Sequence, residues 1–210
     1  MMACKDEDYT SLESIEHTGG VRLDSTWADN LEAALENAKI AHQLGLTLVT
    51  FHAGFLPKDH ATPERAILID RINAVVDEFS AKGIHIALET GQETAATLVG
   101  VLQEINRPEL GVNFDPANMI LYGKGDPISS MQALAPWIRQ VHIKDALPTR
   151  TPGTWGEEVR AGTGAVNWRE FLDIVRGLSR PVDLLIEREA GDQRVADVVA
   201  AREMLERLMR

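Results

Sequence analysis

The chain has 210 residues, 44% of them hydrophobic and 25% charged, which is enough apolar material for one well-packed domain. Its net charge of −11, with no cluster of lysine or arginine, argues against a nucleic-acid partner, and a single cysteine, Cys4, excludes an intrachain disulfide or a thiolate metal site. No apolar run nears the roughly 20 residues that cross a membrane, and the acidic, polar start MMACKDEDYT is unlike a signal peptide, so no membrane partner and a cytoplasmic location are expected.

Strand-like and helix-like segments alternate along the chain. Residues 1–6 read as the tail of a strand. Asp24 to Leu44 reads as a helix with Leu31, Leu35, Ala38 and Ala41 on one face and Gly45 as its stop. LTLVTFH (46–52) is a strand. Thr62 is placed to cap the next helix, with Pro63 in its first turn. Ile69, Ile72, Val76 and Phe79 recur at helical spacing before Gly83. IHIALE (84–89) is a strand and Thr94 to Ile105 a helix. LGVNFD (110–115) is a strand, Ser129 to Trp137 a short helix, and IRQVHIK (138–144) another strand. A loop follows at 146–166, rich in Gly, Pro and Thr, and is expected to serve as a lid or substrate contact. Asn167 with Glu170 three residues on suggests a capping box for a helix to Val175. VDLLIE (182–187) is the last strand. The final helix, Gln193 to Leu208, should turn Val195, Val198, Val199, Met204 and Leu205 inward.

Repeated β–α units imply a parallel sheet with helical crossovers, and strands buried on both faces read as the continuous apolar runs seen here. The expected architecture is α/β, a (β/α)8 TIM-barrel type, over residues 1–210. A complete barrel takes about 250 residues, and this chain offers about five to six of the eight units. It therefore reads as truncated at its N-terminus; an open barrel, or a partner across the gap, is the alternative.

Each of the last four strands carries a metal-ligand type near its C-terminal end: Glu89, Asp115, His142 and Glu187. Barrels of this kind keep their active sites there. Three carboxylates and one imidazole suit a fairly hard divalent ion, Mn²⁺ first, with Co²⁺, Mg²⁺ or Zn²⁺ as alternatives. Such an ion also removes the repulsion among buried carboxylates.

The motifs IALETG (86–91), NFDPAN (113–118), VHIKDA (141–146), GTGAVNW (162–168) and LLIERE (184–189), with FHAG at 51–54, resemble the xylose-isomerase-like sugar phosphate isomerase/epimerase superfamily. The resemblance runs from about residue 26 to the end, and the family's first two to three strands have no counterpart. In its ketose 3-epimerase branch the metal ligands are a Glu, an Asp, a His and a Glu on the last four strands, which fall on Glu89, Asp115, His142 and Glu187. The resemblance implies a divalent-metal-dependent isomerase or epimerase acting on a keto sugar or related polyol. Glu89 and Glu187 would move a proton as catalytic acid and base through an enediolate. A lyase of the keto-inositol dehydratase type would share the site, and a non-catalytic incomplete barrel is a further alternative. The abasic-site endonuclease branch fits poorly, because Asn118 stands where many relatives carry a histidine and the acidity opposes phosphate backbones.

His52, Asn118, Lys144, Trp155 and Glu189 are the expected substrate contacts. Lys144 and Glu189 share strand faces with His142 and Glu187 respectively, and Trp155 is placed to stack on a sugar ring. Asp145 is expected to organise the loop after it, Arg188 to face the helices or the rim, and His17, His42, His60 and His85 to be structural or exposed. A small-molecule carbohydrate is the expected partner, and a homodimer is possible on the pattern of relatives.

Overall fold

In the computed structural model, which describes residues 1–210, each of the five apolar runs is a strand. The order begins α1 (Leu12–Thr18), α2 (Asp24–Gln43), β1 (Leu48–Phe51), α3 (Pro63–Ser80), β2 (His85–Glu89), α4 (Ala95–Ile105), β3 (Leu110–Phe114), α5 (Pro116–Leu121) and α6 (Pro127–Leu134). It continues with β4 (Ile138–Ile143), a hairpin of β5 (Asp145–Leu147) and β6 (Glu157–Val159), α7 (Trp168–Arg176), β7 (Asp183–Ile186) and α8 (Arg194–Leu208). The main sheet runs β1-β2-β3-β4-β7 with every pairing parallel. It curls as a half-barrel with helices on its outer side. The incomplete TIM-barrel architecture expected from sequence is therefore observed.

Local chemistry places the helix starts. Thr62 caps α3 by accepting from the Arg65 amide, with Pro63 in the first turn; Thr94 does the same for α4 through the Thr97 amide. Each such cap contributes about 1 kcal/mol. The helix α4 ends at Asn106, whose φ of 47° is left-handed, a conformation asparagine tolerates better than most residues. On the sheet, Ile86, Leu88, Val112 and Phe114 are buried in the continuous core beneath the helices, and they alternate with the inward-facing Ala87, Glu89 and Asn113. Opposite Val112 and Asn113, β4 carries one extra residue: Ile138 pairs with Val112 and Gln140 with Asn113, so Arg139 is bulged. Beyond the bulge, Gln140 and His142 face inward.

The two edges of the sheet differ. At β1, the Met2 amide donates to the Thr50 carbonyl at 2.8 Å, and Met2 and Cys4 are buried. The first residues thus lie along the strand as a tail with one ladder bond. At β7 the only strand neighbour is β4. Leu185 is 41% exposed there, and on α8 Val195 is 82% exposed with Val198 and Val199 also exposed. The expected inward turn of these three valines is therefore incorrect, although Met204 and Leu205 are buried as expected. A helix packed over an edge strand has sheet beneath only part of its apolar face.

Other expectations need correction. The loop at 146–166 contains the antiparallel hairpin, with Ala146 opposite Glu158. Asn167 makes no side-chain cap; its Nδ2 donates to Glu170 Oε2 at 2.8 Å, and that charge-assisted bond holds its carboxamide away from the helix amides. The helix α6 starts at Pro127 under an Asp126 cap, ahead of Ser129, and residues Ala135–Trp137 tighten into a 3-10 turn. On α2, Ala38 and Ala41 are buried, whereas Leu31 and Leu35 are only half-buried. The deep side of that helix is built instead on Thr26, Asn30 and Ala34.

Candidate metal centre and substrate pocket

Four elements bring the expected ligands together. Glu89 ends β2, Asp115 follows β3, His142 lies in β4 and Glu187 follows β7, and their ligand atoms all lie within 4.8 Å of one another. His142 Nδ1 is 3.5 Å from Glu89 Oε1, 3.5 Å from Asp115 Oδ2 and 3.3 Å from Glu187 Oε2. Asp115 is held by a division of labour. Its Oδ1 caps α5 by accepting from the Asn118 amide at 2.9 Å, its own amide donates to Thr90 Oγ1 at 2.9 Å, and Oδ2 is left to face the cluster.

Two carboxamides steady the rest. Asn113 Nδ2 lies 3.2 Å from Glu89 Oε2 and 3.0 Å from His142 Nε2, so one side chain orients two members of the cluster. Asn118 Nδ2 donates to Glu89 Oε1 at 3.1 Å, and His52 Nε2 approaches the same oxygen at 3.5 Å. Asn113 was not singled out from sequence. The available signal was a polar residue inside a wholly buried strand, two positions before a ligand and hence on its face.

The three carboxylates of the cluster strongly favour positive charge among them. Burial alone would lower the His142 pKa, but the carboxylates of Asp115, Glu187 and Glu89 outweigh it and push the imidazole up to about 12. Burial works against ionised Glu89 too, yet His52 and His142 bring its pKa below the ordinary value. Glu187 is held down to about 2, again against burial, by His142 and Lys144. Asp115 Oδ2 and His142 Nδ1 are both buried without a hydrogen-bond partner, although buried polar atoms normally have one. They are ligand-type atoms aimed at a common point, so the donor set fits a divalent ion.

Above the cluster lies a cavity of about 310 Å³, near the lower end for small-molecule sites. All five expected substrate contacts (His52, Asn118, Lys144, Trp155 and Glu189) line it, as do Glu89 and Glu187. Lys144 Nζ donates to Glu187 Oε2 at 2.9 Å and also to Glu189, with Asp115 Oδ2 at 3.9 Å. Burial would lower the Lys144 pKa, but these three carboxylates raise it further. Trp155 meets Tyr122 edge-to-face at 4.7 Å, and Tyr122 meets Phe55 at 6.0 Å. Tyr9 and Tyr122 also line the cavity. Neither tyrosine was picked out from sequence, because neither stands at a strand end.

Two carboxylates behind the wall hold its shape. Asp145 Oδ2 accepts from the amides of Gly162 (2.9 Å) and Gly164 (3.0 Å) and from Trp168 Nε1 (2.9 Å). Its Oδ1 accepts from the amides of Ala146 (2.9 Å) and Val166 (3.2 Å). The GTG segment at 162–164 therefore serves Asp145, and a Cβ on Gly164 would lie 2.1 Å from Asp145 Oδ1. From β6, Glu158 accepts from the amides of Glu189 (3.0 Å) and Ala190 (3.1 Å) and from Arg188 Nη1 (2.8 Å). Arg188 Nε in turn donates to Asp197 on α8. The hairpin thus clasps the segment that presents Glu187 and Glu189.

The half-barrel and its strand-end cluster define a class before any relative is considered: a parallel α/β barrel with a candidate divalent-metal centre at the C-terminal ends of its strands. Residues 8–208 match the family described as xylose isomerase-like TIM barrel, and the chain belongs to that family. A solved xylose isomerase domain protein from Planctomyces limnophilus superposes with a TM-score of 0.90 at 33% identity, covering 97% of this chain and 73% of that one. An uncharacterized Escherichia coli K12 protein, YihM, is 30% identical over 139 residues, 65% of this chain and 42% of that protein. A 3-dehydroshikimate dehydratase from Bacillus anthracis is 30% identical over 91 residues, 41% of this chain and 32% of the enzyme. The matches span less than half the length of these two curated relatives. At 19% and 16% identity, a Mycobacterium smegmatis barrel solved in complex with magnesium and an L-ribulose 3-epimerase share the fold, with TM-scores of 0.73 and 0.70. No helix is long and apolar enough to cross a membrane.

Proposed function

We propose that Glu89, Asp115, His142 and Glu187 hold a divalent metal, Mn²⁺ by preference and otherwise Co²⁺, Mg²⁺ or Zn²⁺, and that the chain carries the active centre of an isomerase or epimerase for a keto sugar or related polyol. The observation that carries the proposal is the pair of buried, unpartnered atoms, Asp115 Oδ2 and His142 Nδ1, within a set of four ligand types on four parallel strands. A divalent ion bound there would polarise a carbonyl and acidify the adjacent C–H.

The chain's own groups divide the remaining work. Glu187 borders the cavity, held ionised by Lys144, and is the base that takes the proton. Glu89, its two oxygens oriented by Asn113 and Asn118, would return a proton drawn from solvent through the cavity, and Glu187 would release the proton it took to solvent by the same route. Delivery to the opposite face of the same carbon gives epimerisation; delivery to the neighbouring carbon gives isomerisation. His52, Asn118, Lys144 and Glu189 offer hydrogen bonds to hydroxyls, and Trp155 with Tyr122 offers an apolar face to ring C–H groups. Loss of a β-hydroxyl after the same proton removal would be dehydration, the reaction named in the B. anthracis relative.

The direct test is a thermal melt with Mn²⁺, Co²⁺, Mg²⁺ and Zn²⁺ against EDTA, on the wild type and on His142→Ala. A metal that binds only the folded state must raise the melting temperature. The expected result is a rise that His142→Ala removes, with turnover abolished by Glu89→Gln or Glu187→Gln and only reduced by Glu189→Gln. A cooperative melt unmoved by all four metals would refute the centre.

A further inference from the structure

We infer that the pocket takes an uncharged polyhydroxy ketone and rejects phosphorylated and carboxylate substrates; the inference rests on the proton-transfer reading above and names its substrate class. The basis is the distribution of charge around the cavity. Glu7, Glu89, Glu187 and Glu189 line it, and Asp115, fully buried, lies directly beneath. Glu7 is fixed in place by the Gly20 amide at 2.9 Å and the Cys4 amide at 3.4 Å, neither of which neutralises it.

Against these five carboxylates the lining offers one basic side chain besides histidine, Lys144. That ammonium is already engaged by Glu187, Glu189 and Asp115. The nearby Lys124 is outside the lining and sits over the Phe55 ring, 5.0 Å from its centroid. Lys144, the α-amino group of Met1, which also lines the cavity, and a divalent ion together balance four of the five negative charges and leave the pocket with a net negative charge. No arginine lines the cavity, so the bidentate fork that usually receives a phosphate or carboxylate is missing from this wall. An anionic substituent entering here would meet residual like charge in a partly desolvated space, an arrangement that works against wrong partners. Neutral hydroxyls meet the opposite situation: the free carboxylate lone pairs accept from them, and the Tyr122–Trp155 face accommodates their C–H side.

The test uses the Mn²⁺-loaded chain and two matched substrate pairs that differ by one charged group, D-fructose with D-fructose 6-phosphate and D-ribulose with D-ribulose 5-phosphate, and adds a keto-inositol and 3-dehydroshikimate as a neutral and a carboxylate cyclic ketone. Proton NMR in D2O follows loss of the C–H signal next to the carbonyl, which reports proton abstraction whatever the product. Thermal shift with the same compounds reports binding without chemistry. Exchange or stabilisation at least about tenfold greater, in apparent affinity, for the neutral member of a pair is expected. Glu189→Lys, which adds a cation at the rim, should narrow that ratio. Equal or stronger response to the charged members would overturn the inference, as would the absence of any shift from either class. Binding of neutral compounds without exchange would instead sink the proton-transfer reading and leave the charge selection standing.

Discussion

Asp145→Asn isolates the largest single hydrogen-bond hub in the molecule. The substitution conserves volume and opens no cavity, but it removes the charge and turns one oxygen into a donor. Five donors converge on the native carboxylate, three on Oδ2 and two on Oδ1. The better of the two amide orientations keeps Oδ1 on the Gly162, Gly164 and Trp168 side and points its NH2 at the amides of Ala146 and Val166. Those two buried donors are then unpaired at about 1–3 kcal/mol each, and the other three bonds lose their charge assistance. The total comes to about 4 kcal/mol, a large part of the 5–15 kcal/mol that holds a typical domain. Equilibrium urea unfolding at pH 7 measures it, and amide exchange of residues 162–166 should accelerate in parallel. A loss below about 1 kcal/mol would show that the hub contributes packing geometry and little energy, and the account of the loop would fail.

Three further outcomes are expected. Glu93 is buried, and desolvation pushes its carboxyl up to about 8 despite the pull of Lys124. Between the ordinary value of 4.5 and about 8 the unfolded chain therefore releases a proton that the folded chain keeps, so this group's contribution to stability falls as pH rises. Glu93→Gln should match the wild type near pH 4 and exceed it by on the order of 3 kcal/mol at pH 7; urea midpoints for both proteins across that range, if parallel, would refute the shift. Glu158→Gln weakens the clasp on the Glu187–Ala190 segment and should reduce Mn²⁺ affinity about tenfold or more, read from the free-ion EPR signal during titration; an unchanged affinity would mean that Glu187 is placed by β7 alone. The Cys4 thiol, pushed up to about 12 chiefly by burial and secondarily by Glu7, should resist Ellman's reagent at pH 8 in the native protein and react after denaturation. Rapid native labelling would show that residues 1–4 leave β1 readily.

The strands and the ligand-type residues at their ends were legible because parallel strands covered on both faces must be apolar throughout, so a lone Glu89 or Asp115 at the end of such a run stands out. What surrounds them was less so. The hairpin strands Asp145–Leu147 and Glu157–Val159 are too short to show an alternation. Beyond pairing with each other, they are tied down by one carboxylate on each strand, Asp145 and Glu158, that accepts from loop amides, and no hydrophobic period records such bonds. The valines of α8 show the opposite failure. Their periodicity is helical, as read, but burial depends on how much sheet lies beneath, which no local pattern encodes. Asn118 was expected as a substrate contact; its side chain reaches Glu89 while its amide completes the cap on Asp115, two bonds to the cluster that no sequence period records.

The position of Glu187 on an edge strand gives the candidate centre an uneven anchorage. Glu89, Asp115 and His142 belong to strands paired on both sides, whereas β7 is paired only with β4. Opening free energies in a native protein are lowest where pairing and burial are least, so β7 and the residues after it should exchange their amides earliest among the sheet strands. A cation drawing on all four ligands would tie that peripheral strand to the interior ones. Its stabilisation would then be felt regionally: protection against exchange would climb at residues 183–190 while the amides of β2 and β3, already limited by global unfolding, would gain only what the whole molecule gains.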